Sequence, residues 1–108
     1  MDECVRDVTA AARILDAGLE GAYVREDFGQ VVVCLESKYL DAGAASQLEV
    51  LKHEVEGKYA RGSGAGLSFD AISRRVYYLA PSKTIGGKVL DLAVFRDGLK
   101  QAGLKITR

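Results

Sequence analysis

The sequence predicts an α+β fold, a two-layer sandwich whose largely antiparallel sheet carries helices on one face. Three observations predict it. Apolar residues recur at helical spacing in three separate segments, and between these the pattern changes twice to runs rich in β-branched and aromatic residues broken by turns. The chain has 108 residues, 48% apolar and 28% charged, and area scaling leaves about 65% of its extended surface buried, enough for one core. The expected order is α-β-β-α-β-β-α, in a single domain over residues 1–108.

The first helix is expected from about residue 2 to residue 19. Cys4, Val8, Ala11, Ala12, Leu15 and Leu19 fall on one stripe, and Gly21 is placed to end it in the left-handed conformation that other residues resist. The next run, Ala22 to Arg25, favours strand; Glu26-Asp27-Phe28-Gly29 reads as a turn; and residues 30–35 form the second strand of a hairpin. In that strand Val31, Val33 and Leu35 point one way and Val32 and Cys34 the other, so both faces are apolar. Such a strand is either covered twice or covered once with an adhesive second face. Lys38-Tyr39-Leu40 extends it or begins a short third strand.

The second helix is expected over about residues 44–58. Leu48, Leu51, Val55 and Tyr59 share a stripe, and Glu54 and Lys58, four apart, form a surface pair. The glycine-rich stretch 61–66 breaks it. Leu67-Ser68-Phe69 alternates, Asp70-Ala71-Ile72-Ser73 turns, and residues 74–80 complete a second hairpin stopped by Pro81. After a polar loop at 82–88, a last helix starts near Asp91, with Leu92, Phe95, Leu99 and Ala102 on its stripe and Gly103 at its end. Residues 104–108 form a tail or an edge strand.

Chemistry-bearing patterns are sparse. His53 lies at the edge of the second helix's stripe without a recognisable nucleophile or orienting partner, and reads as structural or solvated. Cys4 and Cys34 have neither metal-ligand spacing nor a redox-pair spacing, and read as small buried thiols. The glycines of 62–66 follow a helix and precede a strand, the reverse of a phosphate loop, and serve as a connector. Glu26-Asp27 and Glu54/Glu56 fall where solvated charge is expected. Tyr77-Tyr78 with Phe69 resembles a base-stacking platform, but only Arg74 and Arg75 accompany it, and sheet packing or a protein interface fits better. With fifteen basic and fifteen acidic residues the formal charge is zero, so no basic field points to nucleic acid. No apolar window of about 18 residues points to membrane insertion, and the opening Met1-Asp2-Glu3-Cys4 is acidic where a secretion signal is basic. A cytosolic binding module without catalytic residues, metal or cofactor is the expectation, acting through apolar surface that one small core leaves uncovered.

The stretch Gly64-Ala65-Gly66-Leu67-Ser68-Phe69-Asp70, then Arg75-Val76-Tyr77-Tyr78-Leu79, a loop and an amphipathic last helix resembles the class I chaperones of bacterial type III secretion. The chain departs from them in being short and neutral, where members are longer and acidic, and in the third strand that they place before the second helix. The resemblance implies a cytoplasmic homodimer, non-catalytic and linked to virulence, that holds the N-terminal segment of a secreted effector extended around itself. On that reading Val8, Leu15 and the strand residues Val31, Val32, Val33 and Cys34 receive the effector. Leu51 and Val55 with Val76 and Tyr78 form the dimer interface. A second resemblance is to roadblock-type modules associated with GTPases, carried by Glu20-Gly21-Ala22-Tyr23-Val24 and Phe28-Gly29-Gln30-Val31-Val32-Val33. A strand over residues 89–94 favours that family, and a helix from Asp91 favours the chaperones. A small enzyme is the third reading, which a pocket joining His53 to a carboxylate and a Cys or Ser would favour.

Overall fold

The structure, a computed structural model, describes residues 2–59, 61–81 and 91–107. The polar loop at 82–88 and the first two residues of the alternative strand at 89–94 lie outside the described residues.

Helix α1 (Asp2–Leu15) leads through a single 3₁₀ turn (Asp16–Gly18) into β1 (Leu19–Asp27) and β2 (Gln30–Ser37). Helix α2 (Ala42–Lys58) crosses to β3 (Gly66–Asp70) and β4 (Arg75–Leu79), and α3 (Leu92–Gln101) follows. The expected α+β order is observed. Both hairpins are antiparallel, and β2 also pairs antiparallel with β4, giving one sheet of order β1-β2-β4-β3.

The first helix is shorter than its apolar stripe suggests. Leu15 and Leu19 keep helical spacing, yet Asp16 takes φ +49° and the chain turns at Gly18. Gly18 is buried against Ser37 and Tyr39, where a Cβ would lie 3.1 Å from the Ser37 hydroxyl and 3.2 Å from the Tyr39 ring, a tight approach that glycine eases. Its carbonyl accepts from the Lys38 N–H at 2.7 Å. Gly21 therefore caps nothing; it sits in β1, where the register shifts between Leu19 and Gly21. Lys38-Tyr39-Leu40 forms no strand, since the Ser37 N–H bonds to the Arg74 carbonyl at 3.0 Å and the chain bends away to α2.

Asp41 caps α2, its side chain accepting from the Ala44 N–H at 2.8 Å, so that helix starts two residues before the expected Ala44. Asp91 caps α3 by accepting from the Ala93 and Val94 N–H groups, which makes residues 92–94 helical. At its other end Gly103 takes φ +96°, the Leu104 N–H reaches the Leu99 carbonyl and the Gly103 N–H reaches that of Lys100. This is the Schellman arrangement, with Leu104 folded back as a buried residue. Gly98 lets α3 cross α1 closely, because a Cβ there would lie 3.1 Å from Val5 Cγ2. Beyond it the tail forms one parallel bridge, Ile106 with Ala22 of β1, and Thr107 donates from both backbone and side chain to the Ala22 carbonyl.

One core fills the space between the layers. The inward sheet residues Ala22, Val24, Val31, Val33, Leu35, Leu67, Val76 and Tyr78 meet Val8, Ala11 and Leu15 of α1, Leu48, Leu51 and Val55 of α2, and Phe95 and Leu99 of α3. Among the described residues, no helix is long and apolar enough to cross a membrane.

Candidate functional site

The helices cover one face of the sheet, and the strand pairing defines the other. Arg25 of β1 aligns with Val32 of β2, Leu79 of β4 and Gly66 of β3, and the next outward row is Tyr23, Cys34, Tyr77 and Ser68. Glu36, Arg75 and Asp70 form a third. Val32 and Cys34 are buried, 7% and 1% exposed, yet neither belongs to the core between the layers. Among the described residues, their register neighbours on this face are Arg25 and Tyr23 of β1 and Leu79 and Tyr77 of β4. The Cys34 thiol beside the Tyr23 hydroxyl, together with burial, raises that phenol above the usual tyrosine range. Two pairs of opposite charges lie on the face: Arg25 is 4.0 Å from Asp27, and Arg75 is 3.7 Å from Glu36.

Where β1 turns into β2 the face sinks into an open depression of about 430 Å³, lined by Arg25, Asp27, Phe28, Gln30, Val32, Ser68, Tyr77 and Leu79. Phe28 stands at its rim, 103% exposed. The Gln30 amide braces the floor by donating to the carbonyls of Gly64 and Ala80, both at 2.9 Å. A second hollow, about 330 Å³, lies between the end of α1 and the start of α2, against Leu15, Tyr39, Asp41 and Gln47.

A cluster of titratable groups lies on the opposite side of the sheet. Asp7 of α1 is 3% exposed, and its carboxylate accepts from the Tyr78 hydroxyl at 2.9 Å, from the Tyr59 hydroxyl at 3.1 Å and from the Lys58 ammonium. Lys58 also donates to Glu3 at 2.8 Å, and Tyr59 is 3.7 Å from the Cys4 sulfur. Lys58 thus pairs with α1 rather than with Glu54 as its spacing suggests. Burial pushes both phenols well up, so they stay protonated and act as donors to the carboxylate. With both carboxylate oxygens engaged, the cluster ties α1 to the end of α2 and to β4.

Sequence reasoning missed this tie. Asp7 was legible in principle, because it lies three residues from Cys4 and four from Ala11, on the flank of the buried stripe. Its partners are 51 to 71 residues away and had no local signal.

The residues expected to contact an effector divide. Val8, Leu15, Val31 and Val33 are buried in the interlayer core, and only Val32 and Cys34 turn toward the helix-free face. The four residues expected at a dimer interface, Leu51, Val55, Val76 and Tyr78, are core residues at 0–7% exposure, facing the protein's own layers. Of the aromatic residues read together, Tyr78 packs inward and Phe69 lies against the core, so Tyr77 alone faces outward, with Tyr23. His53 is exposed on α2, 3.6 Å from Glu49. Cys4 and Cys34 are free and buried, as expected. Gly62 and Gly64 take positive φ in the connector before β3. Among the described residues, no group of three or more His, Cys, Asp and Glu side chains is placed to hold a metal. No family model, curated protein or solved structure matches the chain.

Proposed function

We propose that this chain is a non-catalytic protein-binding module acting in the cytoplasm as a secretion chaperone for a segment of an effector protein. The observation that carries the reading is β2, apolar on both faces and, among the described residues, covered by helices on only one. Its outward residues Val32 and Cys34, with Leu79 and Tyr77, form an apolar centre flanked by the ion pairs Arg25–Asp27 and Arg75–Glu36, an arrangement that fits a protein interface. The helix capped by Asp91 supports the chaperone over the roadblock alternative, which needs residues 89–94 extended.

The homodimer belongs to the same proposal. Leu51, Val55, Val76 and Tyr78 are occupied in the core, so a second copy would use the outer edge of β3, which has no strand partner among the described residues. Capture from the native lysate followed by mass spectrometry tests the reading. The expected result is a secreted protein whose retention is abolished by deleting its own N-terminal segment. A GTPase in its place, or a scattering mass of one protomer at micromolar concentration, overturns the chaperone or the dimer respectively.

A further inference from the structure

We infer that Phe28 is a docking anchor, and that the depression beside it receives a bulky uncharged side chain from a partner protein. This rests on the protein-binding reading above and names the chemistry of the partner.

The first observation is the position of Phe28. The β1–β2 connection is a two-residue turn, since Asp27 pairs with Gln30, and both of its residues have positive φ, +51° for Phe28 and +79° for Gly29. Turns of this geometry favour Asn or Asp before Gly, because a bulky side chain in the left-handed region crowds its own backbone. Phe28 carries that steric cost and is also fully exposed, so no contact within the chain offsets it. A residue unfavourable both for the turn and for solvation is what a binding anchor looks like before it binds.

Beside the ring lies the depression, whose floor is Val32, Leu79 and Tyr77. Its volume of about 430 Å³ is near the low end of ligand sites, about 300–1,000 Å³. Because it is open, it suits one or two side chains rather than an enclosed small molecule. Electrostatics fix the rest. Arg25 and Asp27, the two charges that line the depression, are matched to each other, so the depression itself offers no unpaired charge to a strongly charged side chain. That argues against a nucleic-acid backbone, which needs uncompensated basic groups.

Selection of a phage-displayed dodecapeptide library on the immobilised intact chain tests the inference, with Phe28→Asn as the paired variant. Asn suits the turn, so this variant should fold and melt no lower than the parent. The expected result is a family of peptides sharing a bulky aliphatic or aromatic residue without net charge. Their binding should fall about tenfold or more in Phe28→Asn, and amide shifts on titration should centre on Arg25, Phe28, Val32 and Tyr77. Peptides that bind equally well to the variant overturn the anchor while leaving the protein-binding reading intact. Strongly charged consensus peptides overturn the stated partner chemistry. Selection of no peptide overturns both. Binding of a poly-uridine strand that is lost in the variant, or a doubled mass lost in the variant, replaces the partner protein with RNA or with a second copy.

Discussion

Asp7 is a buried carboxylate on which three long-range hydrogen bonds converge, from Lys58, Tyr59 and Tyr78. Replacing it by Asn keeps the volume but leaves Lys58 without its buried carboxylate, and should lower stability by about 2–3 kcal/mol in urea titration. Tyr78→Phe, which removes one donor and leaves the carboxylate two others, should cost nearer 1 kcal/mol. The same tie sets the pH range. Burial alone pulls Lys58 down, but its bonds to Asp7 and Glu3 outweigh that and raise it, and Lys58 in turn holds Glu3 below the usual carboxylate range. Stability from Glu3 is therefore full above its ordinary value of 4.5 and lost as pH falls through the lowered folded value. Stability from Lys58 is full below 10.5 and lost as pH rises through the raised one. Asp70, lowered by the Ile72 N–H and the Ser73 side chain of its turn, adds to the acid loss. Urea midpoints across pH should show a plateau between these limits, with an acid limb that shrinks in Glu3→Gln; an unchanged limb would mean the Glu3–Lys58 bond is silent. Phe28→Asn, by contrast, should raise stability by about 1 kcal/mol, since Asn enters the left-handed region more readily. Sequence alone makes Asp7 one of several charges on α1. Its burial depends on Tyr59 and Tyr78 arriving from α2's end and β4, which no periodicity in α1 encodes.

At the scale of elements, sequence and structure agree to within two residues where local capping sets a boundary, as at Asp41, Asp91 and Gly103, and diverge further where a tertiary contact does. Asp91 and Gly103 bracket α3 as their side-chain and backbone preferences require, and the helix runs between them. The Gly103→Ala substitution should cost about 1 kcal/mol in thermal unfolding, because φ +96° crowds a Cβ. A Cβ at Gly103 would meet no atom within 4 Å, so any loss reports backbone strain alone. The end of α1 had no such signal. Leu19 continues the helical stripe, and what diverts the chain is the approach of Gly18 to Ser37 and Tyr39, residues about twenty positions later. The same tertiary origin explains why Gly21 was misread as a cap and why Lys58 left its expected helical partner for Glu3 and Asp7.

For the whole molecule, the doubly apolar β2 was legible and its consequence was not. Alternation along residues 30–35 assigns Val31 and Val33 to one face and Val32 to the other, but which face the helices cover depends on how α1, α2 and α3 pack together. The helices on one side bury Val33 completely, whereas Val32, 7% exposed, lies outside that core on the face that no described helix covers. A Val→Thr exchange separates the two environments because it keeps the shape and adds one hydroxyl. At position 33 that hydroxyl enters the interlayer core without an arranged partner and should lower stability by about 1–3 kcal/mol. At position 32 it faces the open depression, whose lining includes the Arg25 side chain, and the loss should be smaller, about 1 kcal/mol or less. Urea unfolding of the two variants measures the difference directly. Equal losses would mean that the helix-free face is as dry as the core and that β2 has no second surface; a loss confined to Val33→Thr would show that the outward face of β2 is open to solvent, as the proposed binding surface requires.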